Sequence, residues 1–477
     1  MNLYGYNIFA LVVLCAWVPC VVTMFALMPA RRAVIAAFVC GYLFLPELNM
    51  HFPTVPDVNK VSLTAVGVIL GSLIFDGGRL FAFRPRLIDL ACLTLCLCPI
   101  VASLQNDLGI MDGFAASSTA VTKWGLAYWI GRAYFTDWDG ARELAMGIVL
   151  GGLAYVPLCW WEIRMSPQLH GEIYGYTFIS FRRDSALFGF RPNVFLMNGL
   201  TVTMFMAVCS VLAFWAWMSN SPRKLLGIPM VYVLGILVFT TVFCKALGGL
   251  VIMAGAMGAL ALLRWPRTRL AVLCLILAAP AYVVVRSGGT WSGDKLVAVA
   301  RSYSEERAES LAFRLKMENM LVAKAFEQPW FGWGGWRRSH VFDPWDGHDM
   351  TIVDGLWIIV LGETGVVGLT ALLVMVLGSA LSVCRRIPKR YWTDPACAAP
   401  VALAVVVTMY MIDGLFNATF NPVAALAVGA VASMSVAAKQ AFTPAAVRRA
   451  AALQSVAANP VVSSPRDIPY VYSPARS

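Results

Sequence analysis

Charged residues are scarce in this sequence. Asp, Glu, Lys and Arg together make up 13% of the 477 residues, whereas hydrophobic residues make up 59%. Soluble domains carry about 25% charged residues, so this composition excludes an ordinary soluble protein. Apolar runs of about 20 residues, long enough to cross a hydrocarbon core of roughly 30 Å, recur along nearly the whole chain. Because backbone polar groups in lipid must be satisfied within the segment, these runs are predicted to be helices.

The sequence also lacks features that would indicate other classes of protein. No basic residue precedes the first apolar run, so we expect a retained span rather than a cleaved signal peptide. None of the twelve cysteines lies in a polar loop, which argues against a disulfide framework. Cys92, Cys96 and Cys98 have no accompanying histidine and are interpreted as packing residues. With no nucleotide-binding motif and no convincing metal cluster, neither a cofactor nor a metal site is expected.

The apolar runs predict an all-α polytopic integral membrane protein with about 12–13 transmembrane helices. Residues 1–436 are expected to form a single transmembrane domain. Residues 437–477, rich in Ala, Pro, Ser and Arg, are expected to form a disordered cytoplasmic tail. The predicted spans are residues 6–28, 33–49, 61–77, 88–104, 115–133, 143–162, 194–218, 226–243, 246–263, 270–286, 354–383, 398–415 and 419–436.

Basic residues cluster in alternate connections between these spans, which sets the orientation by the positive-inside rule. The basic connections are expected to face the cytoplasm. Two long polar segments, 164–193 and 287–353, are then expected on the outer face, and all four histidines lie on outer loops. The same arrangement accounts for most of the net charge of +11, so we infer no nucleic-acid binding.

The first outer segment contains three arginines within ten residues, Arg182, Arg183 and Arg191. Guanidinium groups are always charged and can donate paired hydrogen bonds to phosphate oxygens, so this cluster is a candidate diphosphate site. Contact with lipid headgroups by ordinary interfacial arginines is the alternative, although a basic cluster on the outer face runs against the positive-inside trend. Lys245, in a short outer turn between two spans, is expected to reach the same surface.

The second outer segment begins with a predicted helix, 302–328, that carries Arg314. The run PWFGWGGW follows, whose glycines permit tight turns and close approach to a ligand. Its aromatic side chains either anchor at the lipid interface or stack on sugar rings. His340 and His348 come next, and they lie among Asp343, Asp346, Asp349 and Asp354. Imidazole and carboxylate groups at this spacing suit general-base catalysis or divalent-metal binding, and an ordinary acidic surface loop is the alternative.

A few ionisable residues fall within or beside the apolar spans, where each is a functional candidate by default. Glu363 lies inside the span that follows the second outer segment. Lys123 and Asp413 are interpreted as structural residues that snorkel to the interface or pair within the bundle.

At this point the sequence resembles the O-antigen ligase and polymerase superfamily, over about the C-terminal 60% of the chain. Arg314 and the later run FGWG are similar to the family's arginine, helix and "HPLFGxG" pattern, and the segment from Asp354 to Leu369 is similar to its "HNxxLxxxxExGxxGL" pattern. Lys245 stands where the family often has "SRG". The segment resembling "RxxGtFxxPNxF" consists of Arg183, Gly189, Arg191, Pro192, Asn193 and Phe195.

The resemblance implies a membrane glycosyltransferase of GT-C-like type that polymerises or ligates undecaprenyl-diphosphate-linked glycan. Its implied place is the bacterial inner membrane, with the active loops facing the periplasm, a glycan or lipid acceptor, and contact with membrane lipid. Where the family has a His-Asn pair, this chain has Asp354-Gly355, so the catalytic base passes to His348 or Asp354. The implied diphosphate-binding residues are Arg183, Arg191, Lys245 and Arg314, and the implied supporting residues are Glu363, Gly332 and Gly334.

Two functions of other classes remain open. The first is a transporter or flippase for lipid-linked glycan or another solute. A transporter carries its key polar residues near the bilayer midplane, whereas this chain concentrates them in outer loops, which favours the enzyme. The second is a non-catalytic partner in envelope assembly, which the missing His-Asn pair keeps open.

Overall fold

The structure is a computed structural model that describes residues 5–52, 55–177, 185–186, 189–264, 268–289, 291–302, 304–418 and 421–442. The α-helices of these residues are α1 (Ile8–Leu27), α2 (Ala30–Phe44), α3 (Lys60–Phe75), α4 (Gly77–Phe81), α5 (Leu90–Gln105), α6 (Ile110–Ala120), α7 (Leu126–Tyr134), α8 (Trp138–Met165), α9 (Leu169–Tyr174), α10 (Gly199–Ser219), α11 (Met230–Phe243), α12 (Leu247–Arg264), α13 (Leu270–Ser287), α14 (Asp294–Arg301), α15 (Glu305–Ala325), α16 (Leu356–Leu373), α17 (Ser379–Arg386), α18 (Ala398–Asp413) and α19 (Pro422–Ala441).

Short strands form three antiparallel hairpins in the connections between helices. The strands are β1 (Met50–Phe52) with β2 (Val55–Val58), β3 (Ser185–Ala186) with β4 (Gly189–Phe190), and β5 (Lys224–Leu225) with β6 (Ile228–Pro229). Two π-helical turns join neighbouring helices, Val121–Gly125 between α6 and α7 and Val374–Gly378 between α16 and α17.

Eight helices of the described chain are long and apolar enough to cross a membrane, and the all-α polytopic prediction is confirmed. They are Ile8–Leu27, Leu87–Gln105, Trp138–Met165, Gly199–Ser219, Leu247–Arg264, Leu270–Ser287, Leu356–Arg386 and Pro422–Ala441. Helices α3, α11 and α18 are apolar but shorter. Every predicted span falls on a helix. The two remaining predicted spans correspond to α2, whose first turn contains two arginines, and to the stretch from α6 to α7, which contains Lys123.

Helix starts follow from side-chain caps in the sequence. Asn7, Asp137, Asn198 and Asn421 stand immediately before α1, α8, α10 and α19, and each accepts a hydrogen bond from a first-turn backbone amide. Such caps satisfy amides that have no partner within the helix. The apolar helices therefore begin at defined residues.

The centre of the bundle is formed by helices buried all round, with lipid-facing helices outside them. Within their apolar stretches, α10 and α19 have 89% and 83% of their residues buried, against 22% for α1. Small residues allow close crossings: a Cβ atom on Gly429 of α19 would lie 2.1 Å from the Tyr128 carbonyl oxygen of α7. This is the packing expected where helices gain little from the hydrophobic effect in lipid.

Two long helices define opposite ends of the bundle. At one end of α13, Arg286 contacts α15, and at the other end Arg269 contacts Ile387, just after α17. An 18-residue helix is about 27 Å long. The helical run Leu356–Arg386, which is interrupted at Gly365, extends between the same two ends, so the polar loops before α16 and after α17 lie on opposite faces.

The predicted polar segments contain more structure than loops. Segment 164–193 includes the end of α8, α9 and the β3–β4 hairpin, and segment 287–353 includes α14 and α15. Helix α19 continues to Ala441, beyond the predicted domain boundary at residue 436. Residues 443–477 of the predicted tail lie outside the described residues.

Candidate functional site

Arg314 and Asp354 come together at the end of the bundle that carries segment 287–353. Arg314 projects from α15 and Asp354 stands two residues before α16. Arg314 Nε lies 3.3 Å from Asp354 Oδ2, and the two side chains are 39% and 42% exposed. Both line a small pocket together with Glu318, Leu321, Ile352, Gly355, Ile358, Leu415 and Phe416. A cation and a carboxylate are thus both accessible to a ligand.

Glu318 provides the buried side of this pocket. It follows Arg314 by four residues, so both lie on one face of α15. Its carboxylate accepts hydrogen bonds from the Tyr282 hydroxyl at 2.9 Å and from Arg286 Nε at 3.0 Å. Burial raises the pKa of Glu318 above its ordinary value, and these hydrogen bonds only partly oppose that effect. The pocket therefore contains a second carboxyl group close to Arg314.

Arg286 holds α15 against the end of α13. The side chain is 3% exposed. Besides Glu318, it donates to Asn319 Oδ1 at 2.9 Å and to the carbonyl oxygens of Leu315 at 3.0 Å and Trp291 at 2.9 Å. Most of these partners belong to the turn of α15 that follows Arg314. The network therefore fixes the position of the α15 backbone that carries the Arg314 side chain.

Arg191 and Lys245 form a second basic cluster. Arg191 Nη2 donates to the Lys245 carbonyl oxygen at 3.2 Å, and Lys245 Nζ donates to the Gly189 carbonyl oxygen at 2.9 Å. Burial and the neighbouring Arg191 both lower the pKa of Lys245. Arg191 Nε is buried and makes no hydrogen bond to the described residues. Lys245 and Arg191 thus lie in contact, whereas their shared role in binding a substrate at the outer face stays a prediction.

A buried carboxylate, Glu162, orients the segment that carries Arg191. It is fully buried at the end of α8, and its Oε2 accepts from the backbone amides of Asn193 at 2.7 Å and Val194 at 2.6 Å. Val194 has φ +52°, a left-handed conformation that is costly for a β-branched residue. The two charge-assisted hydrogen bonds stabilise this turn.

Some predicted residues are not joined to these clusters. Arg182 and Arg183 lie outside the described residues. Within the described chain, no hydrogen bond or ion pair links Arg191 or Lys245 to Arg314 or Asp354. The prediction that all of them bind one diphosphate therefore stays a prediction.

The two histidines of the second outer segment occupy different environments. The backbone bridges between Phe342 and Asp349, and His348 lies at the exposed tip of this turn, where only its backbone is hydrogen bonded among the described residues. His340 lies at the base, with Nδ1 2.7 Å from Asp349 Oδ2. Burial acts to raise the pKa of Asp349, but hydrogen bonds from His340 and Thr351 outweigh it and lower that pKa.

The run PWFGWG docks onto a break in α16. Gly365 has φ +64° and interrupts the helix. The backbone amides of Trp333 and Gly334 donate to the carbonyl oxygens of Gly362 at 2.8 Å and Glu363 at 3.0 Å. On the other side of the break, the amide of Val366 donates to the Pro329 carbonyl oxygen at 2.8 Å. The loop thus satisfies backbone groups that the break leaves without helical partners.

Glycine is required on both sides of this contact. Gly332 has φ +73°, and a Cβ atom there would lie 2.6 Å from the Gly362 carbonyl oxygen. A Cβ atom on Gly365 would lie 2.4 Å from the Trp330 carbonyl group. The obstacles are backbone atoms, which cannot rotate away. The two glycine motifs, far apart in sequence, are the two halves of one interface.

Glu363 lies at the same break, in the electrostatic surroundings of Lys123 and His340. Lys123 comes from the π-helical turn Val121–Gly125, which faces this part of α16. The interpretation of Lys123 as a residue that pairs within the bundle agrees with this arrangement. His340 in turn contacts Asp349 of the outer loop.

Among the residues that the structure describes, no group of three His, Cys, Asp or Glu side chains could hold a metal ion.

A comparison with protein families matches residues 245–373 to the model described as O-antigen ligase. This match supports the resemblance of this segment to the O-antigen ligase superfamily. The family is a membrane family, and its match supports membrane glycan ligation in polysaccharide biosynthesis. A search of curated proteins finds no significant match.

The O-antigen ligase segment begins at Lys245 and contains Arg314, Asp354, Glu363 and both glycine motifs. It thus includes the docked loop and every lining residue of the pocket except Leu415 and Phe416, whereas Arg191 and Glu162 precede it. At the position of the expected His-Asn pair stands Asp354-Gly355, and Asp354 is the partner of Arg314. The position at which this chain departs from the expected His-Asn pair therefore lines the pocket.

Sequence reasoning missed Arg286, Glu318 and Glu162 as site residues. Arg286 looks like a basic residue at the end of an apolar span, and Glu318 looks like part of a solvated helix face. A signal for Glu318 was its position on one face of α15 with Arg314. Nothing local in the sequence pairs it with Arg286.

Proposed function

We propose that the chain is a GT-C-like membrane glycosyltransferase that acts on undecaprenyl-diphosphate-linked glycan at the outer face of the bacterial inner membrane. The observation that carries the proposal is the pocket in which the half-exposed Arg314 and Asp354 meet at 3.3 Å. The O-antigen ligase segment contains both of these residues. The acceptor is a glycan chain or a lipid, and its identity distinguishes a polymerase from a ligase.

The chemistry needs a cation for the leaving group and a base for the acceptor. A sugar joined through C1 to diphosphate already has a good leaving group, so the main demand is to stabilise charge as the C1–O bond breaks. We assign this role to Arg314. Its ion pair with Asp354 is exposed and weak, so a diphosphate can replace the carboxylate as partner of the guanidinium.

Asp354 is then the candidate base. Once Arg314 is engaged by diphosphate, the Asp354 carboxylate accepts the proton of the acceptor hydroxyl while that oxygen forms the new bond to C1. The electron pair of the broken bond leaves on the diphosphate, and attack from the opposite side inverts the anomeric carbon. His348 is the other candidate base, and its exposed position requires the turn that carries it to close over the pocket.

Arg191 and Lys245 are proposed to hold the lipid-borne donor together with Arg183. Their support is the clustering of the two cations, which the hydrogen bond from Arg191 Nη2 to the Lys245 carbonyl oxygen holds together. Arginine suits this role because its planar fork matches phosphate oxygens.

The experiment uses purified protein in nanodiscs, a lipid-diphosphate-linked oligosaccharide, and glycan and lipid acceptors offered separately. Wild type is compared with Arg314→Ala, Asp354→Asn and His348→Ala, and with Lys224→Gln as a surface control. We expect longer or transferred glycan with wild type and control, and a loss of at least about 100-fold with Arg314→Ala. Loss with Asp354→Asn but not with His348→Ala would assign the base to Asp354.

The same experiment tests the runner-up functions. Turnover that survives Arg314→Ala would contradict the proposed role of the pocket. Binding of the intact donor without turnover on any acceptor would contradict the enzyme and favour a transporter or a non-catalytic assembly partner.

A further inference from the structure

A basic cleft lies at the end of the bundle opposite to Arg314 and Asp354. It has a volume of about 920 Å³ and is open to the outside. It is lined by the start of α13, with Thr268, Arg269, Leu270 and Leu273, and by the connection after α17, with Pro388, Lys389 and Arg390. Neither the glycan-transfer chemistry nor the docked loop uses these residues.

The basic residues of the cleft have no acidic partner in the part of the chain that the structure describes. Within the described residues, Arg269, Lys389 and Arg390 form no ion pair with an acidic side chain, and Lys389 and Arg390 are exposed. Three cations that share one cleft repel one another, and the positive-inside rule explains their side of the membrane but not their convergence. The arrangement calls for an anion.

Arg269 is held in place at the wall of this cleft. Its Nη2 donates to the Ile387 carbonyl oxygen at 3.2 Å, and its guanidinium lies over the Trp392 ring, 5.2 Å from the centroid. Its Nε is buried and has no hydrogen-bond partner among the described residues. That buried Nε does not face a ligand, but a guanidinium fixed on one side by these contacts is preorganised to bind a phosphate oxygen on the side that lines the cleft.

Apolar surface adjoins the charged wall. Leu270 is 65% exposed and, with Leu273, lines the cleft at the start of an apolar helix that faces lipid. A ligand with a phosphate at the helix start and hydrocarbon alongside the helix fits both surfaces. We propose that this cleft binds the phosphate-bearing headgroup of an anionic membrane lipid, with its acyl chains along α13.

The test measures lipid binding to the purified full-length protein rather than glycan transfer, so its result is independent of the proposed enzymatic function. Native mass spectrometry counts phosphatidylglycerol and phosphatidylcholine bound to wild type, to Lys389→Gln/Arg390→Gln and to Arg223→Gln/Lys224→Gln. The last variant is the matched control, because it removes two exposed basic residues from the β5–β6 connection.

We expect wild type and control to prefer phosphatidylglycerol, and the Lys389/Arg390 variant to bind it about 30-fold more weakly, since each charge near a lipid surface is worth about a factor of five. Equal binding of the two lipids by wild type, or an equal loss in the control variant, would overturn the site. A parallel titration with inorganic phosphate in phosphatidylcholine nanodiscs identifies the source of the phosphate: displacement of phosphatidylglycerol by millimolar phosphate would overturn the lipid assignment.

Discussion

Single charged residues in the pocket differ in how much they contribute to folding and to chemistry. Arg286 and Glu318 are 3% and 8% exposed, whereas Arg314 and Asp354 are about two-fifths exposed. Removing one partner of a buried pair leaves an uncompensated charge and costs about 3–5 kcal/mol. Breaking an exposed pair costs at most about 1 kcal/mol. The buried pair Arg286–Glu318 therefore stabilises the folded pocket, whereas Arg314 and Asp354 can exchange each other for a ligand.

This difference predicts opposite outcomes for two conservative substitutions. Glu318→Gln keeps the shape of the side chain but leaves Arg286 buried without its carboxylate, so we expect a clear fall in the thermal unfolding temperature. Asp354→Asn is expected to leave that temperature nearly unchanged and to abolish glycan transfer. Unfolding is followed in detergent by loss of the monodisperse peak, and transfer is measured in nanodiscs. Equal unfolding temperatures for the two variants would contradict the assignment of the buried pair.

Individual residues also mark the limit of prediction from sequence. Arg314 and Asp354 could be found because each belongs to a motif with local spacing. Their contact could not be predicted, because no local pattern links the middle of α15 to the residue pair before α16. For the histidines, composition alone cannot tell which ring turns inward: His340 contacts Asp349, while the predicted His348 lies exposed at the turn.

At the scale of elements, the main feature is the loop that docks onto broken helix α16. Apolar length predicts the helix but not its break, since Gly365 looks like any glycine in a membrane helix. The loop aromatics were expected to anchor in lipid or stack on sugars. Trp333 packs on α15: its Nε1 donates to the Lys324 carbonyl oxygen at 2.8 Å, and its ring centroid lies 3.9 Å from Lys324 Nζ.

Because the loop docks onto α16, alanine substitutions at two neighbouring glycines are predicted to differ sharply in their effect on stability and transfer. Gly332→Ala forces a side chain into a left-handed conformation and against the Gly362 carbonyl oxygen, so we expect a loss of roughly 2 kcal/mol or more in stability and loss of transfer. Gly335→Ala is the control, because a Cβ atom there meets nothing within 4 Å. Unfolding temperature and transfer are measured for both. A stable, active Gly332→Ala protein would show that the loop does not need this contact.

An ion pair connects the same loop to α6 and makes its docking sensitive to acid. Arg338 donates to Asp112 at 3.1 and 3.0 Å. The hydrogen bond from Arg338 lowers the pKa of Asp112, although burial opposes it. Because the folded pKa lies below the unfolded value, this stabilisation is present above the ordinary aspartate range and is lost as the pH falls through the lowered pKa.

The expected result is that hydrogen exchange of residues 334–350 speeds up in wild type as the pH is lowered below about 4, after correction for the intrinsic rate. Asp112→Asn removes the titrating group, so its corrected exchange is expected to be faster already at neutral pH and to change less with acid. A wild-type loop whose protection is constant through this range would contradict the role of the pair.

At the scale of the whole molecule, polar chemistry is divided between two ends of an apolar bundle. Hydropathy alone predicts this layout, because every span falls on a helix and alternate connections carry the basic residues. Hydropathy does not predict which helices are central, since α10 and α1 are similarly apolar but differ fourfold in buried fraction. Which helices pack at the centre depends on small residues such as Gly429 that allow close crossings, and hydropathy does not measure residue size.

The division also predicts the orientation of the chain. If the basic cleft faces the cytoplasm, the pocket and the turn with Trp345 face outward. Trp345 is 94% exposed and Lys389 is exposed at the opposite end. We expect Trp345→Cys to react with a membrane-impermeant maleimide in spheroplasts, and Lys389→Cys to react only after permeabilisation. The parent protein, whose cysteines all lie in or beside apolar spans, provides the background. The reverse pattern would invert the bundle and place the proposed glycan-transfer pocket in the cytoplasm.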